Sequence, residues 1–173
     1  IDLITVYVPE LNTQSRKIFA DVDNKVTYIT GTDYFGEAKK SFLRQAMFCA
    51  KEWGGLGFHA GSKVLRIKDN NDKLNEYGFI MFGLSGTGKT TLTLSDHDLD
   101  GEEESIIRQD DVVLMMPDGY CYGTEAGFFI KTGGLDESQK VLCEAAQSPG
   151  ASFENIMVCE ETGKVDYDDE TLC

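Results

Sequence analysis

The chain has 173 residues, enough for one domain with a real core, and its 41% hydrophobic and 27% charged content is that of a globular protein. A net charge of −14, from 30 acidic against 16 basic residues, argues against nucleic acid as a partner. No apolar stretch approaches the roughly 20 residues that cross a bilayer, so no membrane partner is expected.

In chain order, Leu3–Val8 has strand composition and is ended by Pro9. Lys17–Val22 and Val26–Thr30 read as a strand pair around Asp23-Asn24-Lys25. From Glu37 to Trp53 the apolar residues Phe42, Leu43, Ala46, Met47 and Ala50 recur at helical steps, which predicts an amphipathic helix stopped by Gly54-Gly55. Gly57–Gly61 and Val64–Ile67 suggest another strand pair. A polar turn over Asp69–Glu76 follows, then the apolar run Phe79–Phe82, read as a buried strand. Beyond an acidic surface segment, Ser95–Ser105, strands are expected at Ser105–Arg108, Val112–Met116, Tyr120–Gly123 and Phe128–Lys131, with a tight turn at Pro117-Asp118-Gly119. Asp136–Gln147 reads as a helix with a stripe of Leu142, Cys143 and Ala146. Ile156–Val158 and Val165–Tyr167 read as a closing hairpin. Many short strands with two clear helices do not match strict βαβ alternation, so the class expected is mixed α/β of α+β character.

The five cysteines form no C-x-x-C pair and read as free thiols of a reducing compartment, which places the protein in the cytoplasm. There is no basic, cleavable leader, and with no initiator Met the chain is expected to be a fragment or an excised domain.

The strongest chemical signal is Gly83-Leu-Ser-Gly-Thr-Gly-Lys-Thr90, which meets the phosphate-loop pattern G-x-x-x-x-G-K-S/T at every required position. It stands between the apolar run and Thr91-Leu-Thr-Leu94, which opens a helix. Its glycines let backbone N–H groups approach an anion, Lys89 can reach terminal phosphates, and the Thr90 hydroxyl can ligate the accompanying cation. The nucleotide-binding set is therefore Gly83, Leu84, Ser85, Gly86, Thr87, Gly88, Lys89, Thr90 and Thr91. An acidic chain can bind phosphate this way, because local amides, lysines and cations dominate the site.

Four other stretches carry chemistry-capable residues, and each has a plain reading. The Lys39-Lys40 pair at a helix start opposes the helix dipole unless something uses it, but a solvated basic face is the commoner case. His59 lies in a glycine-flanked apolar strand, where core histidines are usual, and His97 reads as a surface residue. Asp110-Asp111 follows Ile106-Ile107 as a metal-holding Asp would after a phosphate loop, although an acidic chain holds such pairs by chance. Glu125-Ala-Gly-Phe-Phe-Ile-Lys131 offers a second phosphate contact or simply a core strand.

Together, in their order and near spacing, these stretches resemble ATP-dependent phosphoenolpyruvate carboxykinase, whose counterparts read GEMKK, H-C-S-A-N, GLSGTGKTT, GDDEHGW and EGGCYAK. The resemblance runs from about Lys17 to about Asp169. It implies the mononucleotide-binding domain of that family, with the phosphate loop in a mixed sheet, and conversion of oxaloacetate and ATP to phosphoenolpyruvate, carbon dioxide and ADP. It further implies Lys40, His59 and Asp111 as Mn²⁺ ligands, Lys40 being neutral when it ligates, and Tyr34 near the substrate. Lys89 would serve the phosphates, Thr90 would ligate the nucleotide's Mg²⁺, Ser85 would be a loop contact, Asp110 would back the metals, and Lys131 would meet phosphate. The chain departs from the pattern at Gln109, at Val112–Met115, at Ala60-Gly-Ser-Lys63 in place of Cys-Ser-Ala-Asn, and at Phe128–Ile130. The family's substrate arginines and adenine contacts lie in lobes outside these 173 residues. Those remaining lobes are thus the expected partners, and little turnover is expected from this chain alone. A kinase of HPr-kinase type and a non-catalytic nucleotide-binding module are the alternatives.

Overall fold

The computed structural model describes residues 2–11, 15–84, 86–125, 132–133, 135, 140–154 and 156–169. A three-stranded sheet comes first, from β1 (Ile4–Val8), β2 (Lys17–Asp21) and β3 (Val26–Thr30), in the order β1-β3-β2. β3 pairs antiparallel with β2, as the turn residues predict, and parallel with β1. Asp21 shapes the turn by accepting from the Asn24 backbone N–H at 3.1 Å. As the central strand, β3 buries Thr27 and Ile29 completely.

The predicted helix forms as α1 (Gly36–Glu52), but the face it buries differs from the expected stripe. Phe42 is exposed, whereas Glu37, Ser41, Leu43, Gln45, Cys49 and Ala50 are buried. The reason is that α1 packs on strand ends rich in polar groups. The Gln45 amide donates to Thr27 Oγ1 at 3.2 Å and Val26 O at 3.4 Å, and the Ser41 and Thr5 hydroxyls share a 2.5 Å bond. These bonds satisfy the Gln45 nitrogen and the two hydroxyls, which would otherwise be costly to bury, while Gln45 Oε1 has no hydrogen-bond partner among the described residues.

The second sheet has the order β5-β4-β6-β7, from β4 (Leu56–Lys68), β5 (Leu74–Phe82), β6 (Glu104–Met115) and β7 (Cys121–Gly123), and all its neighbours are antiparallel. Parallel pairing among the described strands belongs to the first sheet, not to the one that delivers the phosphate loop. Two expected strand pairs are each one long strand. β4 runs straight through Gly61-Ser62, and β6 through Gln109-Asp110-Asp111. The apparent breaker Gly61 is a close-packing point: a Cβ there would lie 2.1 Å from Thr93 Oγ1. At Gly57 a Cβ would lie 2.5 Å from Met47 Cγ of α1. Gly57, His59, Gly61 and Lys63 alternate onto one face of β4, so two helices approach that face on either side of His59.

The run before the phosphate loop is not buried as expected. β5 is an edge strand, and Phe82 is 68% exposed, with Tyr77 and Phe79 also open. Past the loop lies α2 (Lys89–Leu94), then, near the C-terminus, α3 (Lys140–Ala146) and the antiparallel pair β8 (Met157–Val158) and β9 (Val165–Asp166). The expected strand at Phe128–Lys131 lies outside the described residues, as does the start of the helix expected from Asp136. The protein thus has mixed α and β elements with separate sheets, in keeping with α+β. Among the described residues no helix is long and apolar enough to cross a membrane, and Cys49, Cys121 and Cys159 are free thiols.

Candidate phosphate and cation site

The phosphate loop leaves the end of β5 and turns into α2. Gly86 and Gly88 have φ of 75° and 85°, in the left-handed region that side chains rarely enter. Lys89 folds back over the loop and donates to the carbonyls of Gly83 and Leu84, both at 2.9 Å, and Thr87 Oγ1 donates to Leu84 O at 2.8 Å. Thr90, one residue into α2, donates its hydroxyl proton to Asp110 Oδ2 at 3.0 Å. Thr91 continues the helix. The loop is therefore tied to β6 by the same hydroxyl that the motif assigns to a cation.

Beside Asp110 lies a charged cluster drawn from four places in the chain. In the β4–β6 register, Gly61 stands opposite Asp110 and Ala60 opposite Asp111, which brings the acid pair level with His59. His59 Nε2 lies 3.6 Å from Asp111 Oδ1. From the first turn of α1, Lys39 bridges two carboxylates, Asp111 at 2.7 Å and Glu125 at 2.6 Å. Burial alone would lower the Lys39 pKa, but its bonds to Asp111 and Glu125 outweigh that and hold it above the ordinary lysine value. Burial pushes the Glu125 carboxyl up, with Lys39 pulling against it. Glu125 itself is placed by Gln109. That buried side chain accepts from the Thr124 and Glu125 backbone N–H groups at 2.9 and 3.2 Å and donates to Val112 O at 2.7 Å.

The predicted site residues thus fall into two connected groups. The loop residues Gly83, Leu84, Gly86, Thr87, Gly88, Lys89, Thr90 and Thr91 lie together and reach Asp110, while Asp111 meets His59. Lys40 stands apart from these carboxylates, with its ammonium 5.1 Å from the centroid of the Tyr34 ring. Ser85 and Lys131 lie outside the described residues. Lys39, Gln109 and Glu125 are the members that sequence reasoning passed over. Successive residues on a helix point about 100° apart, so a Lys-Lys pair sends only one side chain toward a given neighbour. Glu125 lies in a stretch whose glycine and Lys131 carry the stronger sequence signal.

His59 and Asp111 offer a nitrogen and a carboxylate, donor types that suit a divalent cation. Glu125 adds a carboxylate only 8% exposed, whose Oε2 has no hydrogen-bond partner among the described residues. The Lys39 ammonium rests where positive charge is needed to balance these acids. Among the described residues no three His, Cys, Asp or Glu side chains form a ready-made metal cage. The donor set therefore fits a cation that also draws ligands from a lysine, a substrate or water.

A family model described as phosphoenolpyruvate carboxykinase matches residues 7–173. The chain belongs to the phosphoenolpyruvate carboxykinase family. It is 38% identical over 172 residues to a phosphoenolpyruvate carboxykinase (ATP) of Aeropyrum pernix, covering 99% of this chain and 34% of that one. It is 32% identical over 161 residues to the Dictyostelium discoideum protein of the same name, covering 92% and 26%. The glycosomal phosphoenolpyruvate carboxykinase (ATP) of Trypanosoma brucei brucei is 30% identical over 163 residues, covering 93% and 31%. The chain spans about a third or less of the length of these carboxykinases.

Proposed function

We propose that this chain is the nucleotide- and metal-binding domain of a cytoplasmic phosphoenolpyruvate carboxykinase, of the family's mononucleotide-binding type, and acts with further lobes of a larger enzyme. The observation that carries this reading is the bond from Thr90 of the phosphate loop to Asp110, next to Asp111 and its cluster. It couples a place for ATP to a place for a divalent cation. The substrates would be oxaloacetate and ATP, and the products phosphoenolpyruvate, carbon dioxide and ADP.

In this reading Gly83 to Gly88 offer backbone amides to the β- and γ-phosphates, and Lys89 exchanges its two loop carbonyls for phosphate oxygens. Thr90, whose hydroxyl now donates to Asp110, would supply an oxygen to the nucleotide's Mg²⁺. Thr91 and, beyond the described segments, Ser85 and Lys131 complete the phosphate contacts. His59, Asp111 and Lys40 would hold Mn²⁺, for which the Lys40 ammonium would have to lose its proton and move off the Tyr34 ring, and Tyr34 would lie beside the acid substrate. The bound cations would offset the charge of the enolate that decarboxylation leaves and of the phosphoryl group it attacks. Lys39 acts as a stand-in charge: it pairs with Asp111 and Glu125, and Glu125 would keep it nearby if a metal took its place at Asp111.

Titration calorimetry tests the proposal with Mg-ATP and then Mn²⁺. The wild-type chain is expected to bind both, and Lys89→Ala to lose Mg-ATP binding while keeping Mn²⁺. Equal Mg-ATP affinity in the two proteins would sink it. Nucleotide binding with no Mn²⁺ binding would leave a nucleotide-binding module rather than a carboxykinase core. The isolated chain is expected to form little or no phosphoenolpyruvate, so brisk turnover would refute the need for further lobes.

A further inference from the structure

The phosphate loop is followed by a helix too short to hold itself in place. α2 has six residues, and a helix of that length is unfavourable unless outside contacts fix it. Its last carbonyls have no partner within the helix. Two side chains meet this end: Ser105 Oγ donates to Ser95 O at 3.0 Å, and a lysine reaches both Ser95 and the helix itself. Lys63 of β4 is only 3% exposed, and its ammonium donates to Leu92 O at 2.5 Å and to Ser95 O at 3.1 Å. It also meets Nε2 of His97. A protonated lysine has three donors and no acceptor, so Leu92 O and Ser95 O take one each and the third is directed at His97.

Lysine is among the residues least often fully buried, and burial here pushes its pKa down, with the Asp96 carboxylate partly opposing. Such a residue calls for a reason. The ladder is irregular beside it: the β4–β6 register shifts between Ser62 and Lys63, where Arg108 of β6 is the extra residue with no opposite number on β4. Two residues earlier, Gly61 lets α2 close onto β4 through Thr93, whose hydroxyl donates to Lys89 O at 2.8 Å. Lys63 also stands at one of the chain's departures from the family stretch H-C-S-A-N, where the last residue is Asn.

Resting on the nucleotide-binding reading, we propose that Lys63, with His97, is a positioning residue that clamps the far end of α2 and so sets the pose of the phosphate loop. Lys63 does not touch the nucleotide. It acts through about 9 Å of helix, the length of six residues at 1.5 Å each, which carries its hold back to Lys89 and Thr90. Favourable charge at a helix C-terminus and saturated carbonyls both act in the same direction.

The test compares Lys63→Met, Lys63→Arg and His97→Ala with the wild-type chain, by calorimetry with Mg-ATP and by amide hydrogen exchange. Lys63→Met keeps the length of the side chain but removes every donor. It is expected to weaken Mg-ATP about tenfold, the loss expected for charged hydrogen bonds, and to speed exchange in 89–95 about tenfold with β4 and β6 still protected. Lys63→Arg restores donors and is expected to recover most of the affinity. His97 is exposed, so His97→Ala folds and is expected to weaken binding about twofold to threefold. Unchanged Mg-ATP affinity in Lys63→Met overturns the inference while leaving the nucleotide site intact. Loss of protection through β4 and β6 as well, with no recovery in Lys63→Arg and no effect of His97→Ala, overturns it in favour of a merely structural lysine. A wild-type chain that fails to bind Mg-ATP overturns the nucleotide reading itself, and the clamp with it.

Discussion

The two halves of the candidate site are built differently. The phosphate half is continuous in sequence, and its working groups are backbone amides, a lysine and a hydroxyl, posed by left-handed glycines and a closely packed short helix. The cation half is assembled from α1, β4, β6 and the residue pair after β7, and is held by ion pairs around one lysine. The first half depends on shape and the second on charge. It should therefore be possible to damage either one while sparing the other.

The largest effect is expected from Gly61→Val, which forces a side chain onto Thr93 and pries α2 from β4. Overpacking of this kind costs about 3 kcal/mol, and Mg-ATP binding should be lost while Mn²⁺ binding persists; thermal melting with calorimetry reads both. Gln109→Leu attacks the other half by removing the Gln109 acceptor of the Glu125 amide and one of the two acceptors of the Thr124 amide, for about 2 kcal/mol. Here Mn²⁺ affinity should fall and Mg-ATP affinity hold. If both substitutions damaged both ligands equally, the division would be wrong.

Glu125→Gln is gentler and separates charge from shape. Because the folded Glu125 pKa is raised, its favourable contribution is complete below the ordinary glutamate pKa and is lost as pH rises through the folded value. Melting temperatures of wild type should therefore fall relative to Glu125→Gln as pH climbs through that window. A constant difference would mean that burial does not govern this carboxyl. The smallest effect is expected far from the site. Asp69 accepts from the Asn71 and Lys73 backbone amides, and these bonds hold its pKa down. That contribution is present above the ordinary aspartate pKa and lost as pH falls through the lowered one, so acid should lower the protection of those two amides relative to their intrinsic exchange at the same pH, and leave both halves of the site alone.

The same division explains what could be read in advance. The loop, the β2–β3 turn, α1 and the nearness of Asp110 to Thr90 follow from local patterns of glycine, turn residues and helical period. The single strands β4 and β6 do not, because Gly61 looks like a breaker until Thr93 is seen against it, and Gln109-Asp110-Asp111 looks like a loop until each side chain has its partner. Nor could the sequence choose Lys39 over Lys40 as the partner of Asp111, since that rests on which way α1 is rotated by the Gln45 and Ser41 bonds. Exposure of Phe79 and Phe82 follows from β5 lying at an edge, a matter of strand order and not of composition.

The alternation of Gly57, His59, Gly61 and Lys63 along β4 has a geometric corollary. Loops tolerate insertions, but an extended strand is a ruler with a step of about 3.4 Å per residue. On that ruler His59 stands two marks, about 7 Å, from the notch where α2 sits and the same distance from the notch for α1. The gap between the candidate cation and phosphate sites is thereby written in the length of one strand, so a single residue added to or removed from 57–63 would misalign the two while every loop stayed as it is.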